Sequence, residues 1–283
     1  MRAVPTREVY PNAPLVLVVA EIRHPVADVL GSRELQQQLK RSLADQFPVA
    51  RPLHRPPGTM VDLGPGLPPQ FQQMPATTSP RFMSRDLTTS ATFNADSVVV
   101  ETTEYGGFER FLSLIGQALA ARLDVGPLDG VERIGLRYID EIRVPSVSDS
   151  SEWRDWIHPG LLGPSHLAGP LELRNDAWQA ISSYSGDLGL GGDFDRMAMV
   201  LRYGVGEGYA TAQGDLRRRT PPPGPFFLID IDSYWGPANS GVPTMDLATV
   251  SRALEALHAP VRVLFENSIT DRLRDEVLRR DGR

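Results

Sequence analysis

The sequence predicts an α+β protein of two lobes, each a mainly antiparallel sheet packed with helices, the first of them ferredoxin-like. Three observations carry this reading. Val98, Val99 and Val100 form a β-branched run that Tyr105-Gly106-Gly107 punctuates. Phe108, Phe111, Leu112, Ile115, Leu119 and Leu123 recur at the spacing that lines one side of a helix, and Gly126-Pro127 ends it. Between Val131 and Val144, Ile134, Leu136, Tyr138 and Ile142 occupy one parity while Arg133, Arg137, Glu141 and Arg143 occupy the other. That is the pattern of a strand with one apolar face.

The remaining elements follow in order. Residues 1–14 read as an extended lead-in closed by Pro11 and Pro14, and Leu15–Arg23 as a central strand, since both its faces begin apolar. Ser32 caps a helix running to about Gln46, with Leu35, Leu39, Leu43 and Phe47 inward and Pro48 as its stop. Residues 49–80 hold eight prolines and no periodicity, the mark of a long loop or arm with short strands. Phe82–Asp86 and Leu87–Asn94 then form a hairpin that turns at Asn94-Ala95-Asp96 into the strand at Ser97. Strand, helix, hairpin, strand, helix, strand is the ferredoxin-like order.

The polar run Ser146–Glu152 connects the lobes and sets the division at 1–145 and 146–283. Trp153–Leu162 is a short helical or anchoring piece, with Trp153, Trp156 and Trp235 as core or hinge anchors. Leu171–Gly186, Arg196–Gly204 and Pro225–Trp235 form a meander with turns at Gly186–Gly192 and over Gly206–Pro223. Met245–His258 is a helix, and Pro260 begins another in which Val261, Leu264, Phe265, Leu273 and Val277 face inward.

Composition bounds the function. With 41% hydrophobic and 23% charged residues the 283-residue chain is of ordinary globular make-up. It has no cysteine, which excludes disulfides, thiolate zinc sites and a cysteine nucleophile. Twenty-nine basic against 35 acidic residues, a formal charge of −6, argue against broad non-specific nucleic-acid binding. The apolar run Leu15–Ala20 is too short to span a bilayer and leads into Glu21 and Arg23 instead of a small-residue cleavage site. The expectation is a cytoplasmic protein without membrane association.

No phosphate-binding loop, HExxH, GxSxG or EF-hand string occurs, so no cofactor is implied. Gly204–Gly208 is glycine-rich, but no apolar helix follows it, and it reads as a hairpin turn. None of the five histidines has a second histidine at helical metal-pair spacing. They read as surface or capping residues, His258 between two helices as a partner for last-turn carbonyls. Arg217-Arg218-Arg219 is either a solvated loop tip or a contact for phosphate or an acidic partner. The chemistry concentrates in charges on strands. Asp230 and Asp232 are two apart and share a sheet face, as do Arg133 and Arg137 on their own strand. With Arg23 and Arg202 at further strand positions, six residues form the candidate site: Arg23, Arg133, Arg137, Arg202, Asp230 and Asp232. Three readings stay open: a structural ion-pair network, a polar face that recognises an anionic ligand through bidentate arginine, and a two-acid Mg²⁺ site. No metal is assigned.

Phe108–Leu112, Glu132–Asp140, Leu228–Tyr234, Leu257-His258 and Phe265–Asp271 together resemble a sporadically distributed bacterial protein family of unknown function. The resemblance runs from about Leu15 to Leu273 and is least at 49–80 and 212–224. It implies a bacterial, cytoplasmic protein of this full length, whose charged strand positions belong to the family pattern. Sporadic occurrence, as the resemblance implies, suits an accessory system such as phage defence or a toxin–antitoxin pair. The expected function is therefore binding or regulation, with a protein partner, a second copy or a small anionic ligand received on the polar sheet face. The alternative is a metal-dependent enzyme acting on nucleotides or phosphoesters, with Asp230 and Asp232 as ligands and Arg137 or Arg202 stabilising phosphate charge.

Overall fold

Alternating burial is the rule that builds this molecule. In the computed structural model, which describes residues 9–27, 32–62, 70–148, 150–163, 177–191, 196–211, 214–237 and 241–280, Val18, Ala20 and Ile22 are fully buried while the residues between them are only partly so. The strands are β1 (Leu15–Arg23), β2 (Val49–Ala50), β3 (Leu53–Arg55), β4 (Gly58–Asp62), β5 (Gln70–Met74), β6 (Thr77–Ser79), β7 (Arg81–Met83), β8 (Thr89–Phe93), β9 (Ser97–Thr102), β10 (Arg133–Ile142), β11 (Trp178–Asp187), β12 (Arg196–Gly208) and β13 (Gly224–Trp235). The helices are α1 (Arg33–Ser42), α2 (Phe108–Val125) and α3 (Leu247–Ser268), followed by a short helical tail at 271–278.

Nine strands form one antiparallel sheet in the order β11-β12-β13-β10-β1-β9-β8-β7-β2. The fold is thus α+β, with strands of the first half in the order β10-β1-β9-β8 and the meander β11-β12-β13 joined to them through β10. That junction runs from Ile134 opposite Trp235 to Ile142 opposite Phe227. The helices lie on one face, α2 against β9 and α3 against β10 and β13, and one hydrophobic cluster holds Phe111 and Ile115 together with Ile231 and Leu257. The opposite face carries the charged residues.

Several elements differ from expectation for identifiable reasons. Residues 49–80 contain short strands: β3 pairs with β6, β4 with β5, and β2 joins the sheet edge beside β7. Gly204–Gly208 is the end of β12 and not a turn. Glycine is needed there because a Cβ at Gly204 would strike the Trp178 carbonyl, and one at Gly206 the Phe226 ring. The expected strand at Leu171 begins at Trp178, residues 171–176 lying outside the described residues, as does Gly192 of the expected turn.

The two helices expected around Pro260 are one, α3, which Asp246 caps by accepting from the Ala248 and Thr249 amides. A proline inside a helix costs ~3 kcal/mol. The buried stripe Val250, Ala253, Leu254, Leu257 and Val261 runs straight through it, and each large apolar side chain contributes about 1.5–3 kcal/mol. Burial therefore outweighs the proline. Buried Ser233 of β13 also donates to the Leu257 carbonyl at 3.0 Å, supporting the turn that Pro260 crowds. His258 consequently sits inside α3 instead of at a helix end: its Nδ1 shares a 3.0 Å hydrogen bond with the Tyr138 hydroxyl, and its ring stacks on Phe108 at 4.1 Å between centroids. Trp153, Trp156 and Trp235 are all buried.

Because β13 covers one long edge of β10, a fragment of residues 1–145 exposes the nine-residue edge Ile134–Ile142 and the apolar floor beneath α3. The expected outcome is aggregation or loss of a cooperative urea transition, monitored by circular dichroism. A soluble fragment that unfolds cooperatively would show that the first half folds by itself.

Candidate functional site

Antiparallel register puts directly opposite residues on the same face, so the register itself assembles the site. Arg137 lies opposite Asp232, Ile139 opposite Asp230, and Arg202 opposite Asp230 from the other side. Val19 of β1 lies opposite Arg137, which brings Glu21 and Arg23 onto that same face. All six residues singled out from the sequence share the helix-free face.

Arginine length then sets the pairing. Arg137 reaches past the opposite Asp232 to its diagonal neighbour Asp230 and grips it in bidentate fashion, Nε to Oδ1 at 2.7 Å and Nη2 to Oδ2 at 2.6 Å. Arg133 reaches Asp232 with Nη2 at 3.0 Å from both oxygens and Glu21 with Nη1 at 2.7 Å. Arg23 closes on Glu21 at 3.2 Å, and the Arg133 guanidinium lies over the Tyr234 ring at 4.6 Å. Arg202 stands 3.7 Å from Asp230, an ion pair without a hydrogen bond, and its buried Nη1 has no hydrogen-bond partner. The hydrogen bond to Asp230 holds the Arg137 pKa above its ordinary value despite partial burial. Four arginines thus meet three carboxylates. Glu21 is the member that sequence reasoning missed, although its two-residue spacing from Arg23 was the available signal.

A fourth carboxylate lies close by but behind the sheet. Asp140 is opposite Ile229 and shares its core-facing side. Burial, and then the charge of Asp230, push its carboxyl up to about 8. On the same side Tyr138 is held well above the ordinary phenol range, first by burial and then by Tyr105, whose hydroxyl is 3.2 Å away. Among the described residues no group of three or more His, Cys, Asp or Glu is placed to hold a metal ion. Asp230 and Asp232 are instead each occupied by arginine.

Two further buried groups escaped the sequence reading. His24, expected at the surface or as a cap, is fully buried, with Nδ1 2.8 Å from the Pro25 carbonyl oxygen and Nε2 without a partner; burial lowers its pKa. Arg122 is also fully buried and donates through Nη1 to the Gly126 carbonyl beyond the end of α2. Neither carries a sequence signal beyond its residue type.

One end of the charged face is covered by the segment between β12 and β13. Arg143 donates to the Gly208 and Gly224 carbonyls, Glu141 accepts from the Ala210 amide at 2.7 Å, and Arg81 of β7 pairs with Asp215. The Arg217 amide donates to the Leu87 carbonyl at 2.8 Å. The arginine-bearing loop is therefore fastened across the sheet, with Arg217 and Arg219 exposed and Arg218 donating to Thr211. No helix among the described residues is long and apolar enough to cross a membrane. No family model and no curated protein matches the chain.

Two measurements probe these pairings. Asp230 is only 4% exposed, so Arg137→Met strips a buried charge of its bidentate partner and is expected to cost about 3 kcal/mol in urea unfolding. For Asp140, the folded state keeps its proton to about pH 8 while the unfolded chain releases it near 3.8. Its contribution to stability therefore falls as pH rises through that interval, by at most about 4 kcal/mol at pH 7. Asp140→Asn is expected to be more stable than wild type near pH 7, the gain fading towards pH 4; equal curves at both pH values would show that the carboxyl is ionised in the fold.

Proposed function

We propose that this chain is a bacterial binding or regulatory protein of the uncharacterised kind its sequence resembles, receiving an anionic ligand on the charged face of the sheet. The first half is a ferredoxin-like unit in this reading, supported by the order β10-β1-β9-β8 with α1 after β1 and α2 between β9 and β10. The observation that carries the ligand assignment is Arg202. Its side chain is 32% exposed overall, yet Nη1 is buried with no hydrogen bond, only an ion pair to Asp230 at 3.7 Å, in a ladder where four arginines face three carboxylates. A buried charged donor left unsatisfied is costly, and an anion bridging Arg202 to the 43%-exposed Arg137 would relieve it. The metal-dependent enzyme reading has less support, because both aspartates already serve as acceptors for arginine.

Inorganic phosphate and pyrophosphate are suitable first probes. Binding to the native state raises the unfolding temperature in proportion to ln(1 + [L]/Kd). Wild type is expected to show a saturable rise that Arg202→Met lacks, while the unliganded variant stays within about 1 kcal/mol of wild type because Asp230 keeps Arg137. An absent rise in wild type, or an equal rise in both proteins, would overturn the assignment.

A further inference from the structure

A cavity of about 400 Å³ lies on the charged face beside the ladder, between β1, β9, β8 and the fastened segment that follows β12. Its size falls within the range of small-ligand pockets. Val16, Leu17, Leu53, Val99 and Leu216 supply aliphatic wall. Its polar groups are graded from floor to mouth. On the floor, Thr92 is buried and its hydroxyl has no hydrogen-bond partner. One strand away, Glu101 receives a single long hydrogen bond, from the Ser90 hydroxyl at 3.3 Å. Burial raises the Glu101 pKa even though Arg81 and Arg55 pull the other way. Arg81 does not answer it with a hydrogen bond, being spent on Asp215 and on the Arg51 carbonyl at 3.0 Å. At the mouth, Arg55 is exposed and Arg218 is held over the Tyr209 ring.

We propose that this cavity binds a small zwitterion: an ammonium group directed at Glu101 and Thr92, an aliphatic spacer between the leucine and valine walls, and an anionic group at Arg55 and Arg218. The chemistry follows from what each zone lacks. The floor offers two acceptor groups short of donors, and a desolvated carboxylate is best satisfied by a charged donor. The leucine and valine side chains form an apolar stretch of wall, beside Thr103, Thr211 and Asp215, against which a methylene chain packs. The mouth holds guanidinium donors suited to a carboxylate or phosphate. None of these residues belongs to the ladder around Arg202, so the two assignments stand or fall separately.

The test uses the full chain and calorimetric titration with 5-aminovalerate, with valerate and pentylamine as the two half-ligands. The expected result is saturable binding of 5-aminovalerate, at least tenfold weaker binding of either half-ligand, and at least tenfold weakening by Glu101→Gln and by Arg55→Gln. Arg55 is a surface residue, so its variant guards against misfolding as an explanation, and the near-isosteric Thr92→Val does the same on the floor. No saturable heat would overturn the proposal. So would valerate binding as tightly as 5-aminovalerate, or a folded Glu101→Gln variant that binds like wild type. Valerate binding that disappears in Arg202→Met would assign the anion to the ladder instead.

Discussion

The pairing of β10 with β13 is the constraint from which the rest of the structure follows. It is the seam through which the first-half strands and the later meander become one sheet, and it is flanked by different chemistry on its two faces. On one face Ile229, Ile231 and Trp235 are buried with Ile134, Leu136 and Ile142. On the other, Arg133 and Arg137 hold Asp232 and Asp230. A slip of one residue would exchange these faces, sending both aspartates into the apolar core and exposing isoleucine. The ion pairs therefore help to specify register, whatever they also bind. Their energetic value as isolated pairs is modest, but removing one partner from a buried carboxylate is costly.

Core-side polar groups act on the same seam. Tyr138 of β10 meets His258 of α3, and Ser233 of β13 meets the Leu257 carbonyl one residue earlier in that helix. Both contacts fall beside Pro260, where a helix interior is weakest. Hydrophobic burial is non-directional and would tolerate α3 sliding along the sheet; hydrogen bonds from two adjacent strands do not. The helix is thereby fixed in position over the junction, and Phe108, stacked on His258, carries that position across to α2.

What the sequence made legible was local. The alternation in β10, the helical stripe of α2, the Ser32 cap of α1 and the turn before Ser97 each depend on residues close in the chain, and each formed where expected. The charged face was also legible, since residues two apart on a strand share a side whatever that strand pairs with. The partners were not. That Arg137 would take Asp230 by a diagonal reach, or that Glu21 would join the ladder, depends on register between strands far apart in sequence. Pro260 misled because a proline is a sound local stop signal, overridden here by burial that only the tertiary fold supplies. Gly204–Gly208 misled likewise: glycine there serves close approach to Trp178 and Phe226, which no local pattern announces.

The place of β1 has a consequence for how the chain is made. Among the described strands it is the earliest in the sequence, yet it sits near the middle of the sheet, and both its neighbours, β9 and β10, come much later in the chain. At roughly 5–20 residues per second, on the order of ten seconds separate the emergence of Arg23 from that of Ile142. Until Ser97–Thr102 has been made, the short apolar run Leu15–Ala20 has neither of its strand partners, and until β10 follows it still lacks one. The Glu21 and Arg23 that end it are placed as charged gatekeepers against self-association, before Glu21 has Arg133 across the sheet to meet. The same two side chains thus serve the nascent chain first and the finished sheet afterwards.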